Sequence, residues 1–266
     1  MARWARALVT GASAGIGAEI AKQLAADGVD LVLVARRSDR LELVRDACGG
    51  GVQVEVVVAD LSSPDDLARV AARLGDDALP IDLLVNNAGF GSFGRLWERP
   101  TSEAQGQIDV NVSALVRLSH AAAAHMVGAG GGTILNISSV AGNQPGPGNA
   151  VYGATKAFVT SLSEALAIEL KGTGVNVTAS CPGLTRTEFQ EVAGLAGSPT
   201  ERVGFLWMDA ASVARDALAA AHRRKIVRVN GLGNRLLAAL AQVSPRAVKR
   251  AAAGRVVARM RPKERA

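Results

Sequence analysis

The sequence predicts an α/β fold, with a doubly wound parallel sheet and helices on both of its faces. Short apolar segments, which are typical of buried strands, alternate along the chain with segments of helical pattern. The second of them, Val29 to Ala35, is fully apolar after Asp30, as expected for a strand inside a parallel sheet. Glycines or polar residues follow these segments directly, at the edge where ligands bind in such sheets.

The predicted fold begins with a strand, a glycine-rich turn and a helix. Arg6 to Thr10 is a short apolar strand, Gly11 to Gly17 has the spacing GxxxGxG, and Ala18 to Ala26 continues as a helix. Glycines permit a tight turn and a close approach of the backbone to a pyrophosphate, which the N-terminus of a helix attracts. With a strand before it and a helix after it, this turn is predicted to bind a dinucleotide.

The end of the second strand, Ala35-Arg36-Arg37, bears on the choice of dinucleotide. A site for NAD would usually place an acidic residue here, which binds the 2′-hydroxyl of the ribose. Alanine stands in that place, and an arginine, which favours a 2′-phosphate, follows it. The sequence therefore predicts a preference for NADP(H), with NAD(H) possible, and favours Arg36 over Arg37 as the phosphate ligand. The alternative is a solvated basic turn.

The other predicted elements continue the alternation. Strands are expected at 52–58, 81–86, 133–139, 175–180 and 226–229, and helices at 64–74, 103–126, from Tyr152 to about Lys171, and at 212–223. Asp60, Asn87 and Ser139 fall, like Gly11 and Arg36, at the carboxyl ends of strands. Because these ends meet at one edge of a parallel sheet, the residues are expected to converge there.

A serine, a tyrosine and a lysine carry the predicted chemistry. Tyr152, the only tyrosine of the chain, precedes Lys156 by about one helical turn, so the two lie on one helix face. The lysine ammonium can then favour the ionised phenol and lower its pKa. Ser139 ends a predicted buried strand, where its hydroxyl can hold a carbonyl oxygen beside a proton donor, whereas Ser138 points to the opposite face. Taken alone, the pair is more often a half-buried tyrosine and a solvated lysine.

Length and composition exclude several classes of protein. The 266 residues, 48% of them hydrophobic, suit one α/β domain or two small ones, and no internal repeat or linker divides them. No run of about 18 uncharged apolar residues is present, so no membrane span is expected. The N-terminus lacks the layout of a signal peptide, which favours a cytoplasmic protein. The two cysteines and three histidines show no metal-binding spacing.

The net charge of +6 belongs to the last residues of the chain. Residues 245–266 hold eight basic residues and one acidic residue, a net charge of +7, which leaves −1 for residues 1–244. The basic character is therefore not that of a nucleic-acid-binding domain, and nucleic acid is not expected as a partner.

Taken together, these features resemble the short-chain dehydrogenase/reductase family over about residues 5–230. The resemblance rests on motifs at family order and spacing, namely Thr10 to Gly17, Asp60-Leu61, Asn86 to Gly89, Asn111, Ser138-Ser139, Tyr152 to Lys156 and Pro182-Gly183. It implies one Rossmann-type catalytic domain over residues 1–230, and hydride transfer between a nicotinamide and a carbonyl or alcohol substrate. It also implies a homodimer or homotetramer.

The resemblance implies a role for each matching residue. Tyr152 would donate the proton in reduction, Ser139 would hydrogen-bond the substrate oxygen, and Lys156 would lower the phenol pKa and hold the nicotinamide ribose. Asn111 would anchor a water that relays protons to Lys156. The cofactor would be bound by Gly11, Ser13, Gly15, Ile16, Gly17, Arg36, Asp60, Leu61, Asn87, Ala88, Gly89, Tyr152, Lys156, Pro182, Gly183, Thr185 and Thr187. Ala14 departs from some NADP-specific members, which carry a second basic residue there.

Two segments are expected to surround or extend the site. Residues 184–208 would form a substrate loop, and most of the nine aromatic residues lie on segments predicted to surround the site, which favours an apolar substrate. Ordinary packing of that loop is the alternative. Residues 231–266 are predicted to form a basic helical extension, which could cover the site, dock on a partner subunit or lie on an anionic membrane surface. Docking within an oligomer is favoured, because the extension lacks large aromatic residues.

Three functions fit these observations. The favoured one is an NADP(H)-dependent carbonyl reductase or alcohol dehydrogenase. A second enzyme hypothesis is the reduction of 3-ketoacyl groups carried as thioesters. A different class is a regulatory protein that senses NADPH without turnover, and the presence of Asn111, Ser139, Tyr152 and Lys156 together argues against it.

Overall fold

The fold is a seven-stranded parallel sheet between two layers of helices. A computed structural model describes residues 4–189, 207–245, 247–251 and 253–254. The strands of the sheet are β1 Arg6–Thr10, β2 Asp30–Ala35, β3 Val54–Val58, β4 Leu83–Asn86, β5 Gly132–Ile137, β6 Val175–Cys181 and β9 Val227–Val229. Their spatial order is β3-β2-β1-β4-β5-β6-β9, and every neighbouring pair is parallel. The predicted doubly wound α/β fold is confirmed.

The helices lie on both faces of this sheet. They are α1 Gly15–Ala26, α2 Ser38–Ala47, α3 Pro64–Leu74, α4 Thr101–Ile108, α5 Leu115–Gly128, α6 Ala150–Glu169, α7 Ala210–His222 and α8 Leu232–Val243. One core layer contains buried residues of α1, α2 and α7, and the other contains those of α3 and α5, with α6 packed against it. Two-residue strands β7 Thr185–Arg186 and β8 Met208–Asp209 pair in parallel outside the main sheet.

Strand β2 shows why its sequence is a continuous apolar run. Leu31 and Leu33 belong to one core layer, while Val32 and Val34 belong to the other. Successive side chains of a strand point to opposite faces, and here both faces are buried. Helix α2, which was not predicted, buries only Leu41 and Val44. Two buried positions in ten residues give too short a pattern to indicate a helix.

The predicted helix over 103–126 is interrupted in the structure. Residues Asp109–Ala114 form a π-helical turn between α4 and α5. Asn111 lies in this turn and is buried. Turns of this kind occur frequently at functional sites.

The predicted strand 133–139 also ends earlier than expected. β5 stops at Ile137, and Ser139 has an extended backbone at the start of a short 3-10 turn, Val140–Asn143. Ser139 therefore follows the strand instead of belonging to it.

The C-terminal part of the chain is described only in pieces. Helix α8 contacts the Val140–Asn143 turn and β9, and the face that carries Leu232, Leu236 and Leu240 is exposed. Arg246, residues 255–266 and residues 190–206 of the predicted substrate loop, including Phe205, lie outside the described residues. The boundary between a catalytic domain and an extension at residue 230 stays a prediction. Across the described ranges, no helix is long and apolar enough to cross a membrane.

Candidate active site

A cavity of about 510 Å³ lies along the carboxyl ends of the strands. Its walls come from the segments that follow β1, β2, β3, β4, β5 and β6, together with part of α6. The predicted site residues that line it are Gly11, Ser13, Gly15, Ile16, Arg36, Asp60, Leu61, Asn87, Ala88, Gly89, Ser139, Tyr152, Lys156, Pro182, Gly183, Thr185 and Thr187. Gly17 and Asn111 lie behind this wall. Residues that are far apart in sequence thus converge, as predicted from their positions at strand ends.

The glycine-rich turn is held against the segment that follows β4. The Asn87 side-chain amide donates to the carbonyl oxygens of Thr10 and Gly11 at 3.0 and 3.2 Å. The Thr10 hydroxyl in turn accepts the backbone N–H groups of Asn87 and Ala88, both at 3.0 Å. A Cβ atom at Gly17 would clash with the Asn87 amide and the Gly11 carbonyl oxygen. Only glycine therefore allows this approach of the two segments.

The N-terminus of α1 opens into the cavity beside this turn. Among the described residues, no side chain caps α1, and its first turn contains no acidic residue. The first N–H groups of a helix have no partner within the helix and carry partial positive charge. Together with the glycine-rich turn, they fit the pyrophosphate of a dinucleotide.

The two arginines after β2 differ in their contacts, and the choice of Arg36 as the phosphate ligand stays a prediction. The Arg36 side chain is 73% exposed and its Nη1 lies 3.8 Å from Oδ2 of Asp60. Arg37 donates from Nη2 to the Ser13 hydroxyl at 3.2 Å and from Nη1 to Oε2 of Glu188 at 2.9 Å. Arg37, the less favoured candidate, is therefore the arginine in contact with Ser13.

Asp60 remains an acceptor in this part of the cavity. Partial burial acts to raise its pKa, but hydrogen bonds from the backbone N–H and hydroxyl of Ser62, together with the charge of Arg36, bring the pKa below the usual 3.8. Its Oδ1 accepts both Ser62 groups, at 3.0 and 2.7 Å. The carboxylate therefore stays ionised at neutral pH.

Ser139, Tyr152 and Lys156 meet at the α6 wall of the cavity. The Ser139 hydroxyl oxygen accepts the N–H of Ala141 at 3.1 Å, which fixes the side chain at the start of its turn. The Ser139 hydroxyl donates to the Pro182 carbonyl oxygen at 3.4 Å, and it lies close enough to the Tyr152 phenol to lower the pKa of that group. A Cβ atom at Gly142 would lie 2.6 Å from the backbone nitrogen of Ala157. Gly142, which sequence reasoning missed, thus lets the turn of Ser139 pack directly on α6.

The predicted lowering of the Tyr152 pKa by Lys156 is wrong for the protein groups alone. Burial raises the pKa of Tyr152 to about 12, and the hydrogen bond with Ser139 offsets this only in part. The Lys156 ammonium lies 5.7 Å from the phenol ring centroid and donates to the Ile137 carbonyl oxygen at 2.7 Å. Burial lowers the pKa of Lys156 to about 8, against a small opposing effect of Cys181. Desolvation is therefore the main cause of both shifts, upward for the pKa of Tyr152 and downward for that of Lys156.

Asn111 is engaged by protein groups from its position in the π-helical turn. Its Oδ1 accepts the N–H of Phe90 at 3.1 Å, and its Nδ2 donates to the Phe90 carbonyl oxygen at 2.9 Å and to the Thr155 hydroxyl at 3.1 Å. The Asn111 amide thus joins the segment after β4 to α6. The predicted role as anchor of a relay water stays a prediction.

Aromatic residues on segments predicted to surround the site do line the catalytic part of the cavity, as Phe90, Phe189 and Trp207 show. The Phe189 ring centroid lies 5.3 Å from that of Tyr152, and Phe90, Val140 and Trp207 also line the cavity. Ser138 points away from the Ser139 side, as predicted, and its hydroxyl donates to the Lys156 carbonyl oxygen at 2.8 Å. Glu188, the partner of Arg37, gave no signal in the sequence because it lies 151 residues away.

Comparison with known proteins decides the family. Residues 5–195 match the model of the family described as short chain dehydrogenase. The chain belongs to the short-chain dehydrogenase family. This short-chain dehydrogenase is 39% identical over 183 residues to sulfoacetaldehyde reductase of Chromohalobacter salexigens, which covers 68% of the chain and 72% of the relative. The predicted family and the predicted class of enzyme, an oxidoreductase acting on CH–OH groups, are confirmed.

Solved structures extend the likeness to nearly the whole chain. A short-chain dehydrogenase from Sphingobium yanoikuyae in complex with NADPH is 36% identical, with a TM-score of 0.80 and 98% of both chains covered. A bulky-bulky ketone specific alcohol dehydrogenase from Comamonas testosteroni is 33% identical, with a TM-score of 0.76, 98% of this chain and 96% of that chain covered. These likenesses support the Rossmann-type fold of the short-chain dehydrogenase.

Proposed function

We propose that this short-chain dehydrogenase is an NADP(H)-dependent oxidoreductase that interconverts an apolar ketone or aldehyde and its alcohol. The observation that carries the proposal is the convergence of Ser139, Tyr152 and Lys156 on the cavity that also contains the glycine-rich turn and the arginines after β2. A dinucleotide laid along the strand ends would reach from those arginines to Tyr152. The same cavity then holds a hydride donor and a proton donor.

The protein groups divide the chemistry between them. NADPH, when bound, supplies the hydride. The Ser139 hydroxyl holds the carbonyl oxygen, and the Tyr152 phenol, protonated at neutral pH because its pKa is raised to about 12, donates the proton to that oxygen. Lys156, with a pKa of about 8, is mostly cationic at neutral pH and stabilises the negative charge that develops on the phenol as the proton leaves.

The lining of the cavity supports an uncharged, apolar substrate. Phe90, Val140 and Phe189 form part of its wall, and apolar walls favour apolar substituents. Among the described lining residues, the cations are Arg36, Arg37 and Lys156, all of which the cofactor and the proton transfer would use. No described lining cation is then left for a sulfonate such as that of sulfoacetaldehyde.

A carbonyl panel tests the reaction. We expect the purified protein to oxidise NADPH with apolar ketones or aldehydes, and with a higher kcat/KM than with sulfoacetaldehyde or with a 3-ketoacyl thioester. The reaction is followed by the absorbance of the reduced nicotinamide. Binding of NADPH without turnover of any carbonyl would favour the regulatory protein instead, and preference for the thioester would favour the second enzyme hypothesis.

The preference for NADP(H) gives a separate prediction. We expect Arg36→Ala and Arg37→Ala each to weaken NADPH binding by about 1.5–3 kcal/mol, roughly 10- to 150-fold, because each removes a charge-assisted bond to the 2′-phosphate. NADH binding should change little. Dissociation constants are measured by titration calorimetry, with Arg45→Ala, an exposed arginine of α2, as the control. Equal affinity of the wild-type protein for NADH and NADPH would contradict the preference.

A homodimer or homotetramer and a cytoplasmic location stay proposals. Exposed apolar side chains on α5 and α6, among them Val127, Phe158 and Ile168, support an interface on these helices. The exposed leucines of α8 support docking of the C-terminal extension within the oligomer.

A further inference from the structure

The carboxylate of Glu188 contacts Arg37, one of the two arginines that the proposed function assigns to the cofactor phosphate. Glu188 lines the cavity, and its Oε2 lies 2.9 Å from Nη1 of Arg37. Its Oε1 lies 3.6 Å from Nη1 of Arg40. The side chains of Glu188 and Arg37 are 40% and 45% exposed, so the pair can exchange partners with a dissolved anion.

The contacts of Arg37 place this carboxylate in competition with a phosphate. The same guanidinium donates to Ser13 at 3.2 Å, so the donors that face the cavity are directed at one small region. A 2′-phosphate bound there would present a larger negative charge and more acceptor oxygens than a carboxylate. A ribose with a free 2′-hydroxyl would leave the pair between Arg37 and Glu188 unchanged.

We propose that Glu188 is a specificity-determining residue, whose carboxylate occupies Arg37 and must be displaced by the 2′-phosphate of NADP(H). The proposal rests on the proposed NADP(H) preference. In this proposal, the Glu188 carboxylate weakens the binding of NADP(H) and leaves the binding of NAD(H) unchanged. It therefore reduces the ratio of NADP(H) affinity to NAD(H) affinity that the arginines create.

The position of Glu188 in the chain joins the two parts of the cavity. The residue lies directly after β7 and Thr187 and directly before Phe189, whose ring packs on Tyr152. Displacement of the Glu188 carboxylate would therefore take place next to Phe189, the residue that packs on the proton donor Tyr152.

A charge-removing variant with a matched control tests the competition. Glu188→Gln is compared with Glu103→Gln, which breaks the pair between Arg99 and Glu103 at 2.8 Å, with side chains 45% and 33% exposed. The dissociation constants of NADPH, NADH and 2′,5′-ADP are measured by titration calorimetry. Because exposed ion pairs contribute little, we expect Glu188→Gln to tighten NADPH and 2′,5′-ADP by about two- to fivefold, with NADH unchanged. Glu103→Gln should change none of the three.

The same substitution in an Arg37→Ala protein shows whether the effect of Glu188 on NADPH affinity depends on Arg37. In the Arg37→Ala protein, Glu188→Gln should no longer change the affinity for NADPH, since the competing pair is already broken. Unchanged or weaker NADPH binding by Glu188→Gln in the wild-type background overturns the proposal, as does equal tightening of NADH. The outcome is distinct from failure of the proposed function, in which the wild-type protein would bind NADH and NADPH equally and would not bind 2′,5′-ADP.

Discussion

Replacement of Tyr152 by phenylalanine is expected to lower kcat by about 100- to 10,000-fold and to leave the affinity for NADPH unchanged. The ring remains, with its packing against Phe189, and only the proton donor is lost. Steady-state kinetics with the best carbonyl of the panel and calorimetric titration with NADPH measure the two quantities. Thr160→Val, which removes a hydroxyl from the same helix outside the cavity, is the control. Near-normal turnover by Tyr152→Phe would contradict the role of proton donor.

The same residue gives an optical signal that needs no assignment, because the chain has no other tyrosine. Without added cofactor, the phenolate absorbance should rise with a midpoint near the pKa of about 12 that burial imposes on Tyr152. Addition of NADP⁺ should lower the midpoint, since a second cation near the phenol favours its ionised form. A midpoint that is insensitive to NADP⁺ would show that the cofactor does not act on the phenol.

Replacement of Lys156 by methionine is expected to abolish most turnover and yet stabilise the protein in the absence of cofactor. Lowering the pKa of this lysine from 10.5 to about 8 corresponds to a cost of about 3 kcal/mol for holding the buried charge. Methionine has a similar shape and no charge, and it loses the bond to the Ile137 carbonyl oxygen, worth about 1 kcal/mol. The expected gain in the free energy of unfolding at pH 7 is therefore about 1–3 kcal/mol.

The pH dependence of this gain identifies its cause. Because the native pKa of Lys156 lies below its ordinary value, the unfolded state binds more protons between about pH 8 and pH 10.5. The stability contributed by Lys156 therefore rises with pH across that window, so the advantage of methionine is full below pH 8, shrinks between pH 8 and pH 10.5, and is lost above pH 10.5. Urea unfolding of the two proteins at several pH values measures the difference, with Lys171→Met as the exposed control. A pH-independent difference would exclude desolvation of Lys156 as the cause.

The sequence predicted the sheet well because buried parallel strands are continuous apolar runs. β2 is such a run, and the residues after it could be placed at a ligand-binding edge without knowledge of their contacts. Helix α2 was missed because only Leu41 and Val44 of it are buried. The π-helical turn was missed because its partners are distant: Asn111 binds Phe90 and Thr155, which lie 21 and 44 residues away in the chain.

Within the candidate site, the sequence indicated which residues converge. It did not indicate which charged groups pair with each other or how their pKa values shift. Whether Arg36 or Arg37 reaches Ser13 depends on the direction of each side chain after β2, and the two are neighbours in sequence. The pKa of Tyr152 depends on the burial of the phenol, and the spacing of four residues between Tyr152 and Lys156 gives no information about burial. Long-range packing thus set the properties that the motifs alone left open.

The order of the strands also constrains how the chain can fold as it is synthesised. Residues 6–58 emerge first and contain β1, β2 and β3, which form one side of the sheet. β1 lies between β2 and β4 in the sheet, so its second edge, with Leu8 and Val9, has no partner until β4 follows. In the same way, one edge of β6 has no partner until β9 has been synthesised. Apolar strand edges that stay open pair readily with other chains, and parallel sheets close slowly because their contacts are non-local. We therefore expect the partly formed sheet, on the ribosome and during refolding, to be the species that aggregates most readily.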